Sequence, residues 1–385
     1  MNTTNKFFTT AVFDIQEEKQ IFLNHIKELK QYSVEEITLY KKWKEISQNY
    51  NSVKDIETFS LLESKIWKST DIYNKEQTIK EISDLQPELL FVEPDTQNFI
   101  DWKYLRIMCS SFEMTQNKGR SIKILIRDKE TQKYLGICSL GSDVSSIKVR
   151  DDFIGWTKDN RFIDKKINHI ASATTIVPTQ PFGYNFLGGK LLASLLCIDE
   201  VRRYWETKYT DKLVGITTTS LYGSHSMYQR IPYWKELGKT SGKMLIKPDD
   251  DVYKKWTEYL RTHHRTEYDV LMSRTGPKQQ ILNFIYKLID QRNIDYFHGF
   301  KRGVYFTELY ENSKDFLCGH IEQDKLLLNP KLNDDITGVL NWWKQKSINR
   351  YINLLENNRL NNNILSYKKI SQMSWDDVKR HYIAP

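Results

Sequence analysis

Apolar residues along the first part of the chain recur at helical spacing. Between Asp14 and about Asp84, Ile21, Phe22, His25, Ile26 and Leu29 recur at three- and four-residue spacing, which predicts an amphipathic helix. Val34, Ile37, Tyr40 and Trp43 continue the pattern after Ser33, a predicted N-cap with Glu36 three residues on to close a capping box. Leu61, Leu62, Ile66 and Ile79 extend it. The segment reads as a small helical region or an amphipathic arm, and Pro94 to Trp102 as a boundary after it.

The texture then changes. Ser121–Arg127 alternates with period two, Asp128–Gln132 is a polar turn, and Tyr134–Leu140 is a second strand, so a hairpin is expected. A strand follows at Ile170–Val177. Gly188 to about Lys208 reads as one helix, with Leu191, Leu192, Leu195, Leu196, Val201 and Trp205 on a broad face. Leu213–Thr219 reads as a buried strand, and Met227–Glu236 as a short helix. Beyond Lys247, helices are expected at Asp250–Thr262, Pro277–Gln291 and Val339–Asn357, and a strand at Val304–Leu309. The order hairpin, strand, helix, strand, helix implies an α+β fold with an α/β layered core. The expected organisation is an acidic helical N-terminal region (1–95), the layered core (96–247) and a basic, mainly helical C-terminal part (248–385).

Composition adds limits. A chain of 385 residues is long for one unit, and its 39% hydrophobic content is enough for a globular core despite a mean hydropathy of −0.59. Cys109, Cys138, Cys197 and Cys318 are scattered, with no C-x-x-C, so neither a zinc ribbon nor a disulfide framework is expected. No apolar run reaches the length of a membrane span and no signal-peptide pattern opens the chain, so a cytoplasmic protein without a membrane partner is expected. His263 and His264 are adjacent, and side chains one residue apart on a helix face different ways; no metal site is expected.

Charge is unevenly spread. The formal net charge is +8, yet residues 1–95 hold 12 Lys and no Arg against 17 Asp and Glu, so the excess of positive charge lies beyond them. A basic body suits an anionic partner such as nucleic acid and equally a soluble basic enzyme; charge alone does not separate the two.

Three clusters carry candidate chemistry. In Arg150-Asp-Asp-Phe-Ile-Gly-Trp156, Arg150 and Asp151 either orient a substrate or form a salt bridge that positions the segment. In Pro178 to Ala193, Gly188, Gly189 and Lys190 stand between a predicted strand and a predicted helix. Free N–H groups and the positive dipole end of a helix make an anion site there; the alternative is a turn that lets helix pack on sheet. In Thr217 to Thr240, Ser220, His225 and Tyr228 follow a strand in an α/β core, where ligands usually bind, and each can move or hold a proton. A polar loop is the alternative.

Strand, Gly-rich turn, helix, strand and a Tyr-containing segment ending in Leu-Gly resemble the acyl-CoA-binding half of the GCN5-related N-acetyltransferases. Ile176-Val-Pro178 is similar to the family's V-x-P, Gly188-Gly-Lys190 to its pyrophosphate turn, and Tyr228 to Gly238 to a stretched form of its Tyr-bearing helix. The family's [RQ]-x-x-G-x-[GA] is absent, and Gln180–Phe186 is an insertion. A closer resemblance spans about Leu135 to Lys243. Arg150-Asp-x-Phe-Ile-Gly-Trp156, Asn185-x-x-Gly-Gly-Lys-Leu-Leu-Ala193, Thr218 to Gly223, and Tyr228-x-Arg230 through Trp234 to Gly242 are similar to the Druantia A-protein (DruA-like) family. That resemblance implies a setting of anti-phage defence, phage or transposition, all acting on nucleic acid.

On these resemblances the expected function is a nucleic-acid-directed enzyme that transfers an acyl-type group to a DNA base, in the manner of phage Mom-like modifiers, with acyl-CoA as the donor. Asn185, Gly188, Gly189 and Lys190 would hold the donor. Tyr228, Ser220 and Asp151 would be catalytic, and Arg150, Thr218, Arg230 and Trp234 would line the substrate site. The alternatives are a non-catalytic DNA-binding component of a defence, transposition or phage system, with partner proteins, and a structural phage protein. DNA contact is expected from Arg261, from Arg274 and Lys278 ahead of an amphipathic helix, and from Lys301 and Arg302 among aromatic residues.

Overall fold

A seven-stranded mixed sheet in the order β1-β2-β3-β4-β5-β7-β6 organises the larger part of the chain. The structure is a computed structural model that describes residues 13–110, 119–221, 227–242, 245–274, 276–289, 297–361 and 367–383. Helices α1 (Ile15–Gln31), α2 (Val34–Asn49), α3 (Val53–Ser64) and α4 (Lys75–Asp84) lead to β1 (Pro87–Phe91) and α5 (Gln97–Cys109). Then come β2 (Ser121–Asp128), β3 (Tyr134–Ser142), α6 (Lys148–Ile154), α7 (Lys158–Phe162) and β4 (Ile170–Pro178). Helices α8 (Phe182–Asn185), α9 (Gly188–Leu195) and α10 (Asp199–Tyr209) cross over to β5 (Gly215–Ser220). The remainder is β6 (Trp234–Lys239), α11 (Asp250–His263), α12 (Arg265–Ser273), α13 (Pro277–Leu288), β7 (Gly303–Glu308), α14 (Ser313–Leu317), α15 (Ile336–Glu356), α16 (Tyr367–Ser371) and α17 (Trp375–Tyr382). The fold is α+β.

Two compact units share this chain: residues 1–37 with 241–300, and residues 38–240 with 301–385. They cut across the expected division at 95 and 247. Strand β1, within the stretch expected to be wholly helical, pairs antiparallel with β2 and so belongs to the sheet. The expected boundary at Pro94–Trp102 is the start of α5, where the Thr96 hydroxyl accepts from the Phe99 N–H at 3.2 Å. Trp102 of α5 donates its indole N–H to the Cys138 carbonyl at 3.0 Å and so lies on the sheet.

The sheet unit buries apolar side chains on both faces. Leu125 and Ile137 pack with Trp102 and Leu105 of α5, while Ile124, Cys138 and Leu140 pack with Leu192 and Leu195 of α9 and Trp343 of α15. Period two along β2 places Ile124 and Ile126 on one face and Leu125 on the other. A further cluster joins Ile46 of α2, Ile107 of α5, Ile370 of α16 and Val378 of α17. In the smaller unit, Phe22 of α1 meets the rings of Trp256 at 5.9 Å and Tyr286 at 5.4 Å, both edge-on.

Two further sequence expectations give way. Met227–Glu236 is not a helix: it is a turn leading into strand β6, which pairs with β7 from Trp234↔Thr307 to Lys239↔Gly303. A register shift at Glu236/Gly238 needs a bulge, and Gly238 takes φ +120°, a conformation open to glycine. Gly188–Lys208 is two helices, because the chain breaks after Leu195 and restarts at Asp199. Arg202 fixes the break by donating to the Cys197 carbonyl at 2.8 Å. Among the described residues no helix is long and apolar enough to cross a membrane.

Candidate functional site

Strands β4 and β5 are parallel and pair over three positions only: Ile170↔Gly215, Ala171↔Ile216 and Ser172↔Thr217. Beyond Ser172 they are not paired. At that point the Thr218 hydroxyl reaches across to the Ala173 carbonyl at 3.0 Å. The Tyr228 hydroxyl hydrogen-bonds the Thr218 hydroxyl, and its ring lies 5.4 Å from Trp234 and 5.1 Å from Tyr305. Tyr228 is buried, and that burial pushes its phenol well above the usual tyrosine range. A neutral phenol in this place keeps its proton and donates a hydrogen bond to the Thr218 hydroxyl, whose own hydrogen goes to the Ala173 carbonyl. Trp234 is equally buried, its indole N–H directed at the Ala193 carbonyl at 3.4 Å. Ser220 is half-buried at the end of β5, Arg230 is exposed with φ +62°, and His225 lies outside the described residues.

The glycine pair opens α9, as the strand–turn–helix pattern predicts. Its glycines serve close packing. A Cβ on Gly188 would stand 2.5 Å from the Phe182 ring, and one on Gly189 would stand 2.4 Å from Met227 Sδ. Lys190 does not point to solvent: its Nζ donates to the carbonyl of Met227 at 3.0 Å and to that of Gln229. Burial pushes its ammonium down to about 8, with Arg230 and Lys346 adding to the effect. Asn185 is fully buried; its Nδ2 donates to the Asn361 carbonyl at 3.1 Å and its Oδ1 accepts from the Asn361 N–H at 3.0 Å. The four residues expected to hold a donor come together, and each is occupied with the chain itself.

Arg150 and Asp151 form a buried network. The Arg150 side chain is 0% exposed and meets Asp143 at 2.9 Å, the Val144 carbonyl at 2.9 Å and Asp151 at 2.6 Å. Asp151 also accepts from Arg161 at 2.7 Å, Trp156 Nε1 at 3.1 Å and the Ile147 N–H at 3.2 Å. Asp143, itself 0% exposed in its side chain, accepts from the Thr217 hydroxyl at 2.6 Å, which ties the network to β5. Two cations thus neutralise two carboxylates out of water, as buried charges require. Gly155, at φ +84°, closes α6 and lets Trp156 return over the Arg150 guanidinium at 5.6 Å. The Arg-Asp-x-Phe-Ile-Gly-Trp string is therefore held by a buried clasp that also draws in Asp143, Arg161 and Thr217. Asp143 and Arg161 were not picked out from the sequence; the only available signal was the polar Gly-Ser-Asp ending at Asp143 after an apolar strand.

The five basic residues expected to contact DNA fall on different units. Arg261, Arg274 and Lys278 are exposed in the smaller unit, where Arg261 Nε donates to the Tyr268 hydroxyl at 3.1 Å. Lys301 is exposed in the sheet unit, and burial lowers the Arg302 guanidinium below its ordinary value.

The model of the family "Druantia protein DruA" matches residues 41–319, more than half of the chain. The chain belongs to the Druantia DruA family. A DruA relative, "Druantia protein DruA" of Escherichia coli (strain UMEA 4076-1), is 28% identical over 226 residues, which cover 54% of this chain and 55% of that protein. The chain thus spans about half the length of this DruA relative. The DruA match reaches well beyond Leu135–Lys243 on both sides and takes in α11, α12 and α13. No solved structure matches the chain, so the likeness to the acetyltransferases rests on the motifs alone.

Proposed function

We propose that this DruA-family chain is a nucleic-acid-binding component of an anti-phage defence assembly, and that the centre around Tyr228 and α9 is a scaffold and not an acyl-transfer site. The observation that carries this reading is the state of Lys190. A donor pyrophosphate would need that cation and the start of α9, yet Lys190 is bonded to two carbonyls of the 227–230 turn, and Met227 packs on Gly189. The excess of basic residues beyond the first 95 supports an anionic partner.

One observation favours the second reading, acyl transfer from acyl-CoA to a DNA base. Strands β4 and β5 stop pairing after three positions, and the bonded Thr218–Tyr228 pair sits at that opening. Mobility-shift assays on single- and double-stranded DNA, with and without acetyl-CoA, separate the readings. The expected result is a shift that acetyl-CoA does not alter. No shift with either DNA refutes the proposal, and a shift or a covalent product that needs acetyl-CoA favours the second reading.

A further inference from the structure

We infer that α12 and α13 form a helix–turn–helix reader of double-stranded DNA, with α13 entering the major groove. This rests on the nucleic-acid reading above and adds the strand form, the groove and the reading residues. Helix α12 ends at Ser273 and α13 begins at Pro277, with three residues between them. The connection ends in Gly276 at φ +67°, and Pro277 takes the first helical position, where its missing N–H costs nothing. Two helices joined by a short turn containing glycine are the ground plan of this motif. Helix α11 packs on α12 and α12 on α13, so the pair has a third helix behind it.

Helix α13 has two unlike faces. Ile281, Leu282, Ile285 and Tyr286 are buried, and the Tyr286 hydroxyl pins the helix to the Ile246 carbonyl at 2.9 Å. Away from them, Gln280, Asn283 and Lys287 follow at spacings of three and four, which puts them in one row. Asn283 and Lys287 are exposed and Gln280 is half-buried. From Arg274 to Leu288 there is no Asp or Glu. Arg274 and Lys278 are exposed at the leading end, where phosphates would lie. Acidic groups do face parts of this unit. Asp250 is near Lys278 but is held below the usual carboxylate range chiefly by Lys247. On α12, Glu267 is exposed and Asp269 lies 3.8 Å from Arg265.

Chemistry selects the occupant. Amide side chains such as Gln280 and Asn283 pair in bidentate fashion with the N6 and N7 edge of adenine, which is displayed in the major groove. The row therefore fits A·T-containing duplex. The test is fluorescence polarisation of the full chain on labelled alternating A·T and G·C duplexes and on a single strand. The wild type should bind A·T duplex roughly tenfold tighter than G·C duplex. The double variant Gln280→Ala/Asn283→Ala should lose that preference and keep its G·C affinity. Arg274→Ala/Lys278→Ala should weaken both duplexes alike and lower the salt slope by about two. All four positions are half-buried or exposed, and circular dichroism confirms that each variant folds. Equal affinity of the wild type for both duplexes, a preference that survives the double variant, or tighter binding to the single strand overturns this inference and leaves the nucleic-acid reading standing. Absence of binding to any of the three overturns both.

Discussion

Replacing Arg150 by methionine removes a cation from a place that no water reaches. Four contacts vanish: Asp143 at 2.9 Å, the Val144 carbonyl at 2.9 Å, and Asp151 at 3.0 Å from Nε and 2.6 Å from Nη2. Asp151 keeps Arg161 at 2.7 Å as a counter-charge. Among the described residues Asp143 keeps uncharged donors only, the Thr217 hydroxyl at 2.6 Å and the Val144 N–H at 2.7 Å. Stranding one member of a buried pair costs about 3–5 kcal/mol, whereas a pair at the surface is worth about 0–1 kcal/mol. The expected loss for Arg150→Met is therefore about 3–5 kcal/mol of the sheet unit's stability. Asp143→Asn in the same chain removes the stranded carboxylate, so the double variant should lose less than the sum of the singles, by about 1–3 kcal/mol. Urea unfolding followed by circular dichroism reads the midpoint shift. A loss below about 1 kcal/mol together with loss of DNA-dependent function would refute the reasoning and return Arg150 to the substrate site.

Other consequences follow from neighbouring contacts. Gly188→Ala should cost about 1–3 kcal/mol by overpacking, since its Cβ would stand 2.5 Å from the fully buried Phe182 ring; no loss would show that the contact is slack. Tyr228→Phe should cost about 1 kcal/mol through the lost bond to Thr218 and leave DNA affinity unchanged, and a fall in affinity at constant stability would contradict the scaffold reading. Lys42 is fully buried 3.3 Å from Glu45, and burial pushes its ammonium from 10.5 down to about 8. Between those values the unfolded chain holds a proton that the folded chain has released, so raising pH favours the folded state through this group. Cys109 and Tyr50, each raised to about 12 by burial, act the other way, so the comparison is with Lys42→Met. The wild type should gain stability relative to that variant from about pH 8 to about pH 10 in urea titrations, and a flat difference would count against a charge-sensitive Lys42.

Much of the fold was legible in local pattern. The capping box at Ser33 is present, with the Glu36 N–H at 3.1 Å from the serine hydroxyl and the Ser33 N–H at 2.7 Å from the Glu36 carboxylate. The β2–β3 hairpin and the β4–β5 crossover lie where alternation and apolar runs put them. Strand β6 was not legible, because Lys235, Glu236 and Lys239 give it the polar look of an exposed edge and its form comes from pairing with β7. Strand β1 is five residues long and starts at a proline, too little for a periodic signal. At the candidate site, sequence placed the glycine pair at a helix start but not the turn that covers it. The Lys190–Met227 bond joins residues 37 positions apart, and Asn185–Asn361 joins residues 176 apart; no spacing rule reaches that far. Asp143 was missed for a different reason: its partner Arg150 is only seven residues on, but an irregular segment lies between them and no periodic spacing applies.

The central claim is tested most directly by the salt dependence of DNA affinity, measured with the full chain between about 50 and about 200 mM salt. Phosphate contacts from Arg274 and Lys278 alone predict that log affinity falls against log salt with a slope of about −2 or steeper, with or without acetyl-CoA. A slope near zero, or binding that appears only with acetyl-CoA, would contradict the account.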